Sequence, residues 1–206
     1  MKILYYNCAA GISGDMNLAA MLDLGVDKNA LVSELEKLGL GGWKLEAFSD
    51  SRGGICGTRV EVVCEDGHGR NHERHHEHGG EHRHEHRHYS QIKDMILNSA
   101  LNQKVKDLSI AIFDRIAAAE AQVHGVEIAD VCFHEVGAVD SIIDIVGAAI
   151  CADMLGVDAF VSSKVELGGG TVRCAHGVMP VPAPATALLA RSFPSTLGAA
   201  QCECAT

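Results

Sequence analysis

The stretch FHEVGAVDSIIDIVGAAICADML, residues 133–155, decides the fold of this chain. From residue 139 its apolar side chains continue with few interruptions, which predicts a long helix that is buried on most sides. The short apolar run at residues 131–136 predicts a strand that leads into this helix. A buried helix must be covered, so the rest of the chain is expected to supply elements that pack around it.

Helical and strand patterns alternate along the remainder of the sequence. Strands are predicted at residues 2–7, 43–48, 58–63 and 159–167, and helices at residues 15–24, 28–38, 89–97, 105–123 and 185–190. Strands that alternate with helices favour an α/β architecture. We therefore expect a mixed sheet with at least one parallel pair, flanking helices and a His-rich surface loop.

A glycine-rich turn, GISGD at residues 11–15, joins the first predicted strand to the first predicted helix. Free amides at a helix start favour an anion such as phosphate, so Gly11, Ser13 and Gly14 are candidates for cofactor binding. The signal is weak by itself, because it matches neither the P-loop nor the dinucleotide-binding spacing. The glycines can equally serve only a tight turn, with Ser13 or Asp15 capping the helix.

One imidazole and three carboxylates surround the start of the long apolar helix. His134 and Glu135 precede it, while Asp140 and Asp144 lie about one turn apart on one of its faces. Because burying an unpaired carboxylate is costly, the group favours metal binding or general acid–base chemistry. The structural alternative is that Asp140 caps the helix, with Ser141 and Asp144 at capping-box spacing.

Both motifs are predicted junctions between a strand and a helix. Such junctions on parallel strands share the ligand-binding edge of an α/β sheet. We therefore predict that Asp15, His134, Glu135 and Asp140 lie close together beside the glycine turn. Together with Asp144, they are the candidate catalytic residues.

A third candidate site is the glycine run at residues 168–170, which is followed by Arg173 and His176. Consecutive glycines let a ligand approach the backbone, and these two side chains could hold a carboxylate or phosphate of a cofactor. The alternative is a plain flexible loop.

Histidines are concentrated between residues 68 and 88. The candidate metal ligands there are His68, His72, His75, His76, His78, His82, His84, His86 and His88, nine of the 12 histidines in the chain. Whether the segment is extended or helical, its spacing brings two or more imidazoles to one side. Imidazole suits nickel, copper, zinc and iron, so the segment predicts metal binding without naming the metal. A disordered linker with adventitious affinity is the alternative.

Composition excludes several classes of function. The net charge is −10 and 17 basic residues are scattered among 27 acidic ones, which argues against nucleic-acid binding. No stretch approaches the roughly 20 apolar residues of a membrane span, and the N-terminal apolar run is too short for a signal peptide. We therefore expect no membrane contact, a cytoplasmic location and cysteines that are mostly buried thiols.

Four strings occur in an order that resembles the N-terminal domain of the LarC-type nickel-insertion proteins. They are NCAAGISGDMNLAAMLDLG, the His-rich insert, FHEVGAVDSIIDIVGAA and HGVMPVPAPAT, and together they extend to about residue 189. Members of that family insert Ni(II) into pyridinium-3,5-bisthiocarboxylic acid mononucleotide. This insertion forms the nickel-pincer nucleotide cofactor of lactate racemase and is accompanied by CTP hydrolysis. The resemblance implies that the histidines bind Ni(II). Composition alone does not identify the metal.

The chain departs from the family pattern in two places. Asn7 stands where the family usually has Asp, and residues 191–206 are interpreted as a divergent tail. We therefore predict a nickel-binding domain at residues 1–190, with the His-rich insert at 67–88, followed by that tail. The resemblance implies that CTP, with Mn(II) or Mg(II), acts only through a C-terminal domain that this chain is expected to lack.

Two hypotheses of different classes follow. In the first, the chain is an incomplete CTP-dependent nickel chelatase, whose partners are the mononucleotide, a complementary C-terminal chain, an apo lactate racemase-type recipient and further copies of itself. In the second, it is a non-catalytic storage or metallochaperone module for nickel or zinc. The first requires the GISGD and HEVGAVDSIID strings to form a shared pocket, whereas the second leaves them structural.

Overall fold

A computed structural model describes residues 1–64, 87–133, 136–174 and 176–206. The helices are α1 Gly14–Asp23, α2 Lys28–Leu35, α3 Tyr89–Asn98, α4 Gln103–His124, α5 Val139–Met154 and α6 Pro184–Ala190. The strands are β1 Ile3–Tyr6, β2 Trp43–Arg52, β3 Ile55–Cys64, β4 Arg87–His88, β5 Cys132–Phe133, β6 Ala159–Ser162, β7 Val165–Glu166, β8 Thr171–Cys174, β9 Gly177–Pro180 and β10 Ser195–Thr196.

Strand pairing gives the class of the fold. β1 pairs with β6 and β7 pairs with β10, both in parallel, while β2–β3, β4–β5 and β8–β9 are antiparallel. The predicted α/β class, with a parallel pair and flanking helices, is confirmed. Within the described ranges the strands form separate two-stranded sheets, some of which are parallel and others antiparallel. The predicted His-rich loop falls in residues 65–86, outside the described residues.

Local sequence signals account for the helix ends. The Asp27 side chain accepts a hydrogen bond from Ala30 N at 2.8 Å at the start of α2, and Asn102 accepts one from Val105 N at 2.9 Å at the start of α4. These contacts satisfy amides that have no partner inside the helix. Gly125 ends α4 with a φ of 66°, a left-handed conformation that glycine adopts without strain.

Two strand predictions needed correction, and one alternative for the segment after the glycine run is excluded. The strand predicted at 159–167 is two strands, β6 and β7, which pair with different partners. The N-terminal strand, whose apolar residues predicted burial, is buried on one face only: Leu4 and Tyr6 pack against the core, whereas Ile3 and Tyr5 are about half exposed. The segment after the glycine run forms the β8–β9 hairpin, in which Gly177 has a φ of 93°, and is not a plain loop.

Helix α5 lies in the main hydrophobic core, as its sequence predicted. Ile142, Ile143 and Val146 are fully buried, and α1, α2 and α4 pack against the helix. Phe113 of α4 is also fully buried, and its ring centre lies 6.2 Å from that of Phe133. This core fixes where α5 begins, and therefore where its acidic first turns lie.

A second, smaller apolar cluster contains Cys8, Val165, Leu167 and Ala190. Residues 195–206 lie beside it, and we call them the tail layer. β10 of this layer pairs with β7, and backbone bridges join Ile12 to Ala205 and Gly168 to Glu203. No helix among the described residues is long and apolar enough to span a membrane.

Candidate functional site at the paired starts of helices α1 and α5

The glycine turn and the acidic start of the apolar helix meet through helix packing. A Cβ atom added to Gly14 would overlap the Asp144 side chain, reaching 2.6 Å from its Cγ atom. One turn further along α1, Leu18 packs on Gly147, where an added Cβ would lie 3.0 Å from the leucine Cδ2. Both contacts advance together along the two sequences, so α1 and α5 run in the same direction. Their N-termini therefore lie at the same end of the interface.

The reason given for this proximity in the sequence analysis was wrong. β1 pairs with β6, whereas β5 pairs in antiparallel fashion with β4, so the two junctions do not lie on neighbouring parallel strands. The close approach of α1 and α5 is instead permitted by Gly14 and Gly147, which have no side chain to separate the helices.

The described carboxylates lie at or near these helix starts. Asp15 is exposed in the first turn of α1, where Ser13 Oγ donates a hydrogen bond to it. Asp140 lies in the first turn of α5 and accepts a hydrogen bond from Ser141 N at 2.8 Å. The N-cap of α5 is Ala138, so Asp140 is not the cap. The helix dipole favours negative charge at helix N-termini, so both acids lie where their charge is stabilised by the helix.

Asp144 has one carboxylate oxygen that is fully buried. Its Oδ1 atom is inaccessible to solvent, and its side chain contacts the backbone of Gly14. A carboxylate in such a position interacts more strongly with an approaching cation than an exposed one does, because water screens it less. His134 and Glu135, which were predicted to join this group, lie outside the described residues.

The glycine turn itself is held by the tail layer. Gly11 has a φ of 96°, and a Cβ added to it would overlap the carbonyl of Cys204. Ile12 N donates to Cys204 O at 2.7 Å, and Gly11 N donates to Cys8 O at 3.0 Å. Two amides of the turn are therefore already used, which leaves the amides that follow at the start of α1 as the anion-binding candidates. Roles for Gly11, Ser13 and Gly14 in binding a cofactor remain predictions.

The third predicted site lies on the β8–β9 hairpin. Arg173 is exposed on β8, and His176 is exposed at the turn, with its ring centre 5.0 Å from that of His124 at the end of α4. Binding of a carboxylate or phosphate by Arg173 and His176 remains a prediction.

His88 is the one histidine of the His-rich segment that the structure describes. It is the N-cap of α3, where its backbone N–H donates to Gln91 Oε1 at 3.0 Å. The residue is exposed, so its imidazole remains a predicted metal ligand. The ligands from His68 to His86 lie outside the described residues. Among the residues that are described, no three His, Cys, Asp or Glu side chains form a group suited to one metal ion.

A buried acid that the sequence analysis missed, Glu166 on β7, organises the tail layer. Its carboxylate accepts hydrogen bonds from Thr196 Oγ1 at 2.7 Å, Gly168 N at 3.0 Å and Ala199 N at 3.1 Å. The Thr196 hydroxyl and the surrounding backbone amides hold the pKa of Glu166 below its usual range. The only sequence signal was an acid between apolar residues in the strand VEL.

Two titratable groups of the core, Tyr6 beside α1 and Cys151 on α5, have raised pKa values. Burial raises the pKa of Tyr6 to about 12, although a hydrogen bond with Asn17 of α1 lowers it in part. Burial also raises the pKa of Cys151 to about 12. Both groups are therefore neutral near pH 7.

These observations define an α/β protein with glycine-spaced parallel helices and acidic helix starts. The chain belongs to the nickel insertion protein family, whose model matches residues 4–206. The match includes residues 191–206, which the sequence analysis assigned to a divergent tail, and the division of the chain at residue 190 remains a prediction.

Curated relatives agree with this membership. A pyridinium-3,5-bisthiocarboxylic acid mononucleotide nickel insertion protein of Clostridium acetobutylicum is 51% identical, with 100% of this chain aligned to 53% of the relative. The protein of that name from Akkermansia muciniphila is 52% identical over 100% of this chain and 49% of its own length. A putative nickel insertion protein of Maridesulfovibrio salexigens is 55% identical over 100% of this chain and 52% of its own length. The chain spans about half the length of these relatives, and no solved structure matches it.

Proposed function

We propose that this chain binds Ni(II) and presents it for insertion into pyridinium-3,5-bisthiocarboxylic acid mononucleotide, the compound in the names of its relatives. The observation that carries the proposal is the contact of Gly14 with Asp144. It brings together the two strings that a shared insertion site requires and that a storage module would not need.

The His-rich segment is the proposed point of nickel capture. Its imidazoles are neutral near pH 7 and suit Ni(II), while its glycines permit several ligand arrangements. Residues 68–88 then act as a reservoir from which the ion passes to a site of fewer, better-placed ligands.

The acids at the helix starts are the proposed receiving site. Metal binding releases protons from the groups that become ligands, so a carboxylate beside the exchange point can accept them. Asp144, with its buried oxygen, is the best-placed acceptor, and Asp15, Asp140, His134 and Glu135 complete the proposed group.

The mononucleotide needs an anion-binding contact for its phosphate. The amides at the start of α1 that the tail layer does not use, from Ser13 onward, are one candidate. Arg173 and His176 on the hairpin are the other, since a guanidinium recognises phosphate with two parallel hydrogen bonds. Because Asp15 repels further negative charge, we expect a single phosphate group rather than a triphosphate at α1.

We assign CTP, with Mn(II) or Mg(II), to a complementary C-terminal domain. The sequence offers neither a Lys-bearing phosphate loop nor clustered basic residues for a triphosphate. The recipient of the finished cofactor is an apo lactate racemase-type enzyme.

The test is activation of apo lactate racemase by the thiocarboxylated mononucleotide, nickel and CTP. We expect no activation with residues 1–206 alone, and activation when the complementary domain is supplied. Asp144→Asn should reduce that activation by about tenfold or more while nickel bound at equilibrium changes little, because the reservoir histidines remain. Asp94→Asn, at an exposed position on α3, is the matched control and should behave like the unaltered chain.

Other outcomes have distinct meanings. Full activation by the chain alone would place the whole reaction within these residues and overturn the division of labour. Unimpaired activation by Asp144→Asn would remove the acids from the proposed site. If the complemented chain binds nickel but never activates the enzyme, the storage hypothesis replaces insertion.

A further inference from the structure

Two histidines far apart in sequence meet at the end of α4. His124 occupies the last position of that helix and His176 lies in the β8–β9 turn, and their ring centres are 5.0 Å apart with planes inclined by 42°. The two belong to different elements, so the tertiary fold and not helix periodicity brings them together.

The separation of the rings suits a shared metal ion. A metal–nitrogen bond of about 2.0–2.1 Å places each imidazole centre roughly 3 Å from the ion, so two rings on one ion are held about 5 Å apart. The His124 side chain is 29% exposed, and His176 is exposed, so an ion can reach both from solvent.

A carboxylate lies beside one of the rings. Glu120, one turn earlier on α4, has its Oε2 atom 3.3 Å from His124 Nε2. Carboxylates beside metal-bound histidines commonly help to hold the ring in place, so Glu120 is positioned for that role.

The helix adds a further preference for a cation. α4 has 22 residues, and its final carbonyls at His124 give the partial negative charge of a helix C-terminus. Glu120 beside it adds to this preference at His124.

We propose that His124 and His176 together bind one Ni(II) ion, with Glu120 as the residue that positions His124. This site lies outside residues 68–88 and outside the acidic helix starts. Only the identity of the ion rests on the proposed function, because the geometry itself would also accept Zn(II). With two protein ligands the ion keeps several waters, which suits an intermediate station in metal transfer rather than a permanent structural site.

The experiment uses the full chain and follows each histidine separately. Carbethoxylation of imidazoles by diethylpyrocarbonate, quantified by mass spectrometry, is measured at increasing Ni(II) and, in a second arm, Zn(II). In the unaltered chain we expect nickel to protect His124 and His176 with the same midpoint concentration. His176→Asn should abolish protection of His124, and His124→Asn should abolish protection of His176, while protection within residues 68–88 is unchanged.

Two further variants sharpen the result. Glu120→Gln should raise the midpoint nickel concentration at both histidines by about tenfold or more, the effect of losing a residue that orients a ligand. His88→Asn, which changes an exposed histidine outside the pair, should leave that midpoint unchanged. Thermal unfolding of each variant checks that the fold is intact.

Several results would overturn the proposal. Protection of His124 that survives His176→Asn would mean that the rings do not share an ion, and absence of protection would mean that they only stack. Protection by zinc but not by nickel would overturn the choice of metal. Since none of these measurements uses enzyme activation, they separate failure of this site from failure of the proposed insertion function.

Discussion

The main core around α5 and the tail layer are held together by different forces. In the core, fully buried aliphatic side chains and Phe113 remove apolar surface from water. In the tail layer no residue is fully buried, and most contacts are backbone hydrogen bonds around the carboxylate of Glu166. The proposed site therefore lies between a region held together by apolar packing and a region held together by specific hydrogen bonds.

The largest effect is expected in the main core. Phe113→Ala removes a ring that is fully buried, and truncation of such a residue costs about 3–5 kcal/mol in the free energy of unfolding. Urea denaturation followed by circular dichroism measures this. A loss below about 1 kcal/mol would show that the core is loosely packed. Apolar burial would then not be the force that distinguishes the core from the tail layer.

An intermediate effect is expected where the two helices approach each other. Gly14→Ala places a Cβ atom into the Asp144 side chain, and overpacking of this kind costs about 1–3 kcal/mol. Gly41→Ala is the matched control, since an added Cβ there meets nothing within 4 Å. Urea unfolding of both variants should show a loss for position 14 only. Equal stability of the two variants would contradict the close packing of α1 on α5.

The smallest effect on global stability is expected for Glu166→Gln, which acts on the tail layer. The pKa of the folded carboxyl is lowered, so the contribution of its charge is present above the unfolded pKa of about 4.3 and is lost as pH falls through the folded pKa. The protection factors against hydrogen exchange at the amides of Gly168 and Ala199 should therefore fall on acidification in the unaltered chain. In Glu166→Gln exchange should be faster by roughly tenfold at neutral pH, because a hydrogen bond to a charged acceptor is lost.

The control for this prediction is Glu46→Gln, which changes a half-exposed acid in a surface ion pair with Lys44. Because water screens such pairs, it should leave exchange at Gly168 and Ala199 unaltered. Protection factors at these amides that stay as high in Glu166→Gln as in the unaltered chain would show that the carboxylate does not hold the tail layer.

Local rules made most of the fold predictable. The long apolar helix, the glycine that ends α4 and the β2–β3 hairpin follow from periodicity and turn chemistry, which depend on neighbours in sequence. The strand prediction that failed on pairing is the single strand at 159–167. It is divided because β6 pairs with β1 and β7 pairs with β10, and these distant partners are not specified by any local pattern.

The sequence by itself determined that the chain carries a dense run of histidines, an acidic start to a buried helix and a glycine turn, because these are properties of residue type and spacing. Only the tertiary structure decided that Gly14 contacts Asp144, that Glu166 gathers the tail layer and that His124 faces His176. Each of these contacts joins residues separated by 30 or more positions. Such contacts form only when the packing of the helices brings distant parts of the chain together. Closing long loops costs entropy, and burial of the core, not the contacts themselves, offsets that cost.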